Sequence, residues 1–522
     1  MGSSRLVAWL SRHAGALLAL VLCFVYLPSL SREFLNYDDP WLVEKSALLQ
    51  RASLQDLRAI WLDFSRETRL ALGAEYLPVR DTSLFIEAHL WGLRALPLRL
   101  TNLAIYLGAI LLLRAALLRT LESRVAAEGA AWLFALHPVH VESVAWVAGR
   151  KDVLALFFVS AALAAQAQAS RFRWWLVPLT LALAHLSKAV SVTAILLLVA
   201  QDLLARRRLE ARLYAPVAAV AAGALYVALE VGGAVEMMAP WPGGSRLATA
   251  ETMGPVWLRY LASCAWPTRL SLVYDVPVLA SWTAGALAGY AVIAGWALGA
   301  LALLRRQRPL AAASFLWFAG SLAPVSQLIV PLQNLMADRY LLFGVMGPCL
   351  LLASTLARWP GGGAAALGGV AALLSGPAAH RASLFARSEL IFRDAAEKTE
   401  ASPIAPYQLG VAFETNGDYA NAIVSYREVL RRARAADEVG RRATNNLARA
   451  LVREGRLGEA LVVLERGRER FPGDPKMLDN LTKVLARLGR AGDAQRALEE
   501  LHRRFPDYSS GARRVREPAG PR

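Results

Sequence analysis

ALHPVHVESVAWVAGRKD, residues Ala135–Asp152, sets His137, His140, Glu142, Arg150, Lys151 and Asp152 between two strongly apolar segments. Such groups are costly in a bilayer core unless they line a polar cavity, so a cluster this dense marks a candidate functional site. What flanks it decides the fold. Apolar runs of membrane-spanning length recur from the N-terminus to about residue 379. The 522 residues are 56% hydrophobic, with mean hydropathy +0.36, which is not the balance of an ordinary soluble domain. Beyond residue 380 the chain turns charged and polar. The expected fold is all-α, a polytopic membrane part followed by a soluble helical tail.

Eleven spans are expected, at about 7–28, 97–118, 125–142, 152–169, 173–187, 190–204, 213–230, 283–304, 309–331, 340–357 and 361–379. The first resembles a signal peptide, but the spans after it favour an anchor that is retained. With the N-terminus inside, the cytoplasmic segments hold Arg5 and Arg12, then Arg114, Arg119 and Arg124, then Arg171 and Arg173. Arg206, Arg207, Arg208 and Arg212 follow on that side, then Arg305, Arg306 and Arg308, then Arg358. The short outer loops hold only Arg150, Lys151, Lys188 and Arg339. That asymmetry fixes orientation, and an odd number of spans puts the tail outside. The net charge of +17 is thus largely a topology signal, and no nucleic-acid partner is expected. Cys23, Cys264 and Cys349 lie in apolar surroundings without metal or disulfide spacing.

Nearly all potential chemistry then falls on the outer face: Asp38, Asp39, the His137–Asp152 cluster, Lys188, Asp275, Asp338 and Arg339. A transporter would instead scatter polar groups through the midplane. The first outer loop, 29–96, carries NYDDPW at Asn36–Trp41. It also carries an amphipathic helix at Ser53–Asp63, with a Ser N-cap and an apolar face suited to the membrane interface. The second outer loop, 231–282, opens rich in Gly and Pro.

A linker helix is expected at 381–402, three repeats at 403–508, and a disordered basic tail at 509–522. Tyr407–Leu430, Asn445–Gly467 and Leu478–Leu501 each follow the helix–turn–helix pattern of tetratricopeptide units. Ala460 and Ala494 are 34 apart, as are Pro472 and Pro506, so the second and third units are in register. Such arrays stack into superhelices with a concave groove, which serves as a scaffold or as a docking surface for polypeptides.

Asp38 and Asp39 sit between aromatics at the membrane surface, where a carboxylate can act as a general base; a solvated Asp-Pro turn gives the same pattern. His137 and His140 have weak metal spacing, disturbed by Pro138, and no metal is expected. They read either as hydrogen-bonding groups for a sugar or phosphate, with Glu142 orienting an imidazole, or as a polar knot at a helix end. Arg150, Lys151, Lys188 and Arg339 read as a phosphate site on a lipid-linked substrate or as snorkelling cations, with Asp152 and Asp338 as their neighbours.

In this order the pieces resemble the transmembrane and tetratricopeptide-repeat-containing proteins and their bacterial relatives. The resemblance rests on NYDDP, on ALHPVHVESVAWVAGRKDVLA, and on LSKAVSVTAILLLVAQDLL at 186–204. It continues through LSLVYDVP at 270–277, MADRYLLF at 336–343 and the terminal repeats. It implies a C-type membrane glycosyltransferase taking a sugar, mannose first, from a polyprenyl-phosphate donor on the outer face of a bacterial inner membrane. The acceptor would be Ser/Thr of exported polypeptides. It implies Asp38 or Asp39 as catalytic base and Arg150, Lys151, Lys188 and Arg339 around the donor phosphate. His137, His140, Glu142 and Asp338 would line the sugar pocket, with no cofactor beyond the lipid-linked donor. One departure is the apolar pair Ala189–Val190 after Lys188, where the family pattern has a polar residue. A lipid or lipid-linked glycan acceptor, and a non-enzymatic membrane scaffold, are the competing readings.

Overall fold

The computed structural model describes residues 2–168, 170–235, 239–433 and 437–508, with residues 2–12 as backbone only. The expected tail at 509–522 lies outside the described residues. The described chain is all helical and contains no strand. It forms two compact units, Met1–Arg387 and Ser388–Arg522. The segment 381–402 is divided between them: its start closes the helix Gly363–Leu384, and the helix Ser388–Lys398 opens the second unit.

In the first unit, helix occupies some part of every stretch expected to span. Three described helices are long and apolar enough to cross a membrane, where eleven spans were expected: Ala95–Thr120, Ala211–Ala234 and Ala284–Arg305. His13–Ser29, Ala189–Leu204, Leu310–Val325 and Met346–Leu356 are apolar but shorter. Particular residues cause the shortening. Pro138 follows the end of Arg124–Ala135 and starts a 3-10 turn, because proline cannot continue the helical hydrogen-bond ladder. Leu310–Phe315 widens into a π-turn at Leu316–Gly320 and then a 3-10 turn at Ala323–Val325. Arg150–Ala167 begins with three charged residues, leaving too short an apolar length.

Ala95–Thr120 packs along Arg150–Ala167 and against Arg124–Ala135, which in turn meets Met346–Leu356 and Gly363–Leu384. The segment expected as the second outer loop contains a helix its Gly and Pro content conceals, Arg246–Ala265, capped by the Ser245 hydroxyl accepting from the Ala248 amide at 3.1 Å. This helix touches Ala284–Arg305 backbone to backbone: a Cβ on Gly254 would meet the Ala286 carbonyl, and one on Gly289 would collide with Gly254. Within 29–96 the expected amphipathic helix runs Leu54–Leu62, and Ser53 and Asp56 form a reciprocal capping box. Leu54 and Leu62 are exposed, while Ile60 is buried.

The second unit adds three helix pairs after Ser388–Lys398: Ile404–Thr415 with Tyr419–Arg432, Glu438–Arg453 with Leu457–Arg470, and Pro475–Arg487 with Ala491–Arg504. Each pair turns through a glycine in the left-handed region, Gly417, Gly455 and Gly489, at φ of +78°, +75° and +76°. Leu447, Leu451, Leu464, Leu481, Leu485 and Leu501 fill one continuous core. Gly410 lies so close to the Tyr426 ring that a Cβ there would come within 2.6 Å.

Candidate active site

The Ala135–Asp152 stretch folds as a buried, broken chain. After the Pro138–His140 turn come a short helix at Val141–Ala145, an extended residue at Trp146, and a second 3-10 turn at Val147–Gly149. Every residue from Leu133 to Arg150 is buried. Gly149 is required by close approach, since a Cβ there would collide with the Ser143 carbonyl.

Asp39 holds the segment 29–96 onto this stretch. Its Oδ1 accepts the Ala148 amide at 3.0 Å and its Oδ2 accepts the Leu35 amide at 3.0 Å, with the residue fully buried. Burial pushes its carboxyl up to about 7, against the pull of the two amides and of Arg99. Arg99 itself ties helix ends together, donating to the carbonyls of Ser29 at 2.6 Å and Phe385 at 2.7 Å.

Asp38 differs from its neighbour. It is half-buried and hydrogen-bonded by Trp41, and it lies within electrostatic reach of Lys151, Arg339 and Glu75. Burial raises its carboxyl above the ordinary range, while Lys151 and Arg339 pull it back. Lys151 pairs with Glu75 at 2.5 Å, both half-buried. Burial would raise the Glu75 carboxyl, but Lys151, Arg80 and Lys188 hold it below its usual range. Arg339 pairs with the buried Glu142, whose other oxygen accepts the Arg339 amide at 3.2 Å. The Arg339 guanidinium also lies 5.9 Å from the Trp146 ring and 5.6 Å from the Tyr340 ring. Tyr37 stands 5.8 Å from Trp146, closing this wall.

The four expected phosphate cations thus divide. Lys151 and Arg339 keep part of their side chains exposed, 25% and 16%. Lys188 is mostly enclosed and paired with Asp152. Arg150 is fully buried, bonded to Glu87, Asn102 and the Leu98 carbonyl, the last at 2.9 Å, and it presents no surface to a ligand.

The expected pocket residues are also held in place. His137 donates through Nε2 to the Cys264 carbonyl at 3.1 Å, while its Nδ1 caps the following turn. The His140 ring lies against those of Phe134 and Tyr106, at 4.3 and 5.8 Å. Asp338 accepts from the Tyr274 hydroxyl and pairs with Arg381, which also donates to the Leu270 carbonyl at 3.0 Å. Among the described residues, no group of three His, Cys, Asp or Glu side chains is placed to share a metal ion.

Sequence reasoning passed over Glu75, Arg80, Glu87 and Arg381. A signal for each is present: EYLPVRDTSLFIE at Glu75–Glu87 puts four charges in an otherwise apolar helical run, and Arg381 closes the long apolar helix Gly363–Leu384. The structure brings Asp38, Glu75, Lys151, Arg339 and Glu142 into one electrostatically coupled group. A half-buried carboxylate beside partly exposed cations can take a proton from a hydroxyl while the cations stabilise a departing anion. Comparison with the known protein families and with curated proteins returns no match for this chain.

Proposed function

We propose that the chain is a membrane glycosyltransferase that moves a sugar, mannose first, from a polyprenyl-phosphate donor to Ser/Thr hydroxyls of exported polypeptides. The reaction takes place on the periplasmic face of a bacterial inner membrane. Asp38 takes the proton of the acceptor hydroxyl, whose oxygen forms a bond to the anomeric carbon. The bond from that carbon to the phosphate oxygen breaks on the opposite side, so one displacement inverts the anomer and releases polyprenyl phosphate. Lys151 and Arg339 stabilise charge growing on the phosphate. Asp39 holds the loop that carries the base.

The observation that carries this reading is the electrostatic coupling of Asp38 to both Lys151 and Arg339, with Asp39 already committed to two amides. Helix within each expected span supports a C-type bundle of about eleven crossings, the broken ones completed by turns. Three glycine-turned helix pairs support a tetratricopeptide solenoid that receives the polypeptide.

The test is transfer in liposomes containing polyprenyl-phosphate mannose, with a Ser/Thr-rich peptide read by mass spectrometry. Asp38→Asn is expected to lower transfer by about a hundredfold or more. Undiminished transfer in that variant overturns the assignment of the base. Transfer to lipid with none to peptide overturns the acceptor.

A further inference from the structure

In the second unit, the first helices of successive pairs pack on one another more closely than the second helices do. An array built so curves with its first helices on the inner, concave side. The solvent-facing stripe of Glu438–Arg453 is Arg442, Asn446, Arg449 and Arg453; that of Pro475–Arg487 is Lys476, Asn480, Lys483 and Arg487. The two stripes match position for position at a spacing of 34: cation, asparagine, cation, cation.

All six cations are exposed. Arg442, Arg449 and Lys483 pair with Glu438, Glu414 and Asp479. Arg453, Lys476 and Arg487 have no ion pair among the described residues, so the stripe keeps a positive excess. The asparagines are anchored to the preceding pair through their Nδ2 atoms: Asn446 to the Tyr407 and Tyr426 hydroxyls, each at 3.4 Å, and Asn480 to Asn445 Oδ1 at 2.8 Å. With Nδ2 so engaged, the amide oxygen of each is a ready acceptor for a backbone N–H.

We propose that this inner face docks an extended, acidic segment of polypeptide, which makes acidic stretches around Ser/Thr the preferred acceptor context. The proposal rests on the reading of the chain as a protein-modifying enzyme. Charge complementarity selects the acidic sequence, and the asparagine oxygens meet its backbone. An anionic bilayer offers the same charge, but it is flat and does not enter a concave face.

The test uses the full chain in phosphatidylcholine nanodiscs without sugar donor, with fluorescence anisotropy of two labelled peptides, one alternating Glu and Ser and the other Lys and Ser. The acidic peptide is expected to bind at least about tenfold tighter, a preference lost as salt rises to about 0.5 M. The triple variant Arg453→Gln, Lys476→Gln, Arg487→Gln changes only exposed side chains and should keep its melting temperature. It should bind the acidic peptide about tenfold more weakly. Asn446→Leu with Asn480→Leu should weaken binding at every salt concentration. Equal binding of the two peptides, or a triple variant that binds like wild type, overturns the proposal. So does a triple variant that loses only its affinity for phosphatidylglycerol vesicles. The liposome transfer assay, run on the wild-type chain beside this measurement, separates the two readings. Charge-selective binding without any sugar transfer leaves docking standing and removes the enzyme; transfer without charge selectivity does the reverse.

Discussion

Asp39 and Ala148 stand 109 positions apart in sequence, yet the carboxylate of one accepts the amide of the other at 3.0 Å. With the Leu35 amide on its second oxygen, Asp39 is a staple between the segment 29–96 and the Ala135–Asp152 stretch. Its neighbour Asp38 is left to face the cations.

Replacing the staple should loosen the loop. Asp39→Ala leaves two buried N–H groups without acceptors, a loss of about 1–3 kcal/mol for each. Thermal unfolding in detergent should show a lowered Tm, and limited proteolysis should cut within 29–96 faster. Asp38→Asn should do neither. Equal behaviour of the two variants would contradict the division of roles.

The raised Asp39 carboxyl carries a pH signature. Its folded value of about 7 lies above the unfolded carboxylate value near 3.9, so the native state binds the proton more tightly. The stability this supplies is fully present below about pH 4 and is lost as pH rises to about 7. Wild type should therefore lose Tm relative to Asp39→Asn between pH 5 and 7, and no further above that. A constant difference between the two proteins across that window would count against a buried, proton-holding Asp39.

In the proposed reaction Asp38 must be ionised to act as a base. Because burial raises its carboxyl, transfer should fall on acidification at a pH above the ordinary carboxylate range. Lys151→Met removes a cation that pulls the carboxyl down, so the acid limb should move to higher pH. The limb's position is independent of any loss in donor affinity, which appears in KM. An unmoved limb would place the titrating group elsewhere.

Arg150 and Lys151 are adjacent and should behave as opposites. Arg150→Ala strands buried Glu87 and removes the bonds to Asn102 and Leu98, with a loss on the order of 3–5 kcal/mol. Lys151→Ala, at a half-exposed pair, should leave Tm within about a degree or two while lowering transfer. Tm and activity measured on both variants check the contrast.

Gly149→Ala should destabilise by about 1–3 kcal/mol, because the new Cβ must push the Ser143 carbonyl out of its turn. A loss of Tm comparable with that of the staple variant is expected, and no loss at all would mean that the turn yields freely.

Helix placement was legible because apolar runs and the arginines between them are local signals, and so were the Ser53 cap and the repeat spacing of 34. Helix length was less so, since Pro138 and the charged start of Arg150–Ala167 shorten what hydropathy alone extends. Within the site, charge type was legible and partnership was not. Arg150 and Lys151 read alike in sequence, and only the packing of Pro78–Trp91 and Ala95–Thr120 against Arg150–Ala167 buries one and spares the other. Glu75 and Arg381 stand out in sequence as charges in apolar runs, but their partners Lys151 and Asp338 are distant in the chain and emerge only from the fold.

The span between Asp39 and Ala148 also sets a clock on synthesis. At roughly 5–20 residues per second, Asp39 leaves the ribosome about 5–20 seconds before its partner amide exists. Through that interval the segment that carries Asp38 stays unanchored, and its docking is a late event in biogenesis. Asp38 is brought toward Lys151 only when the Ala135–Asp152 stretch is complete, and Arg339 joins them later still.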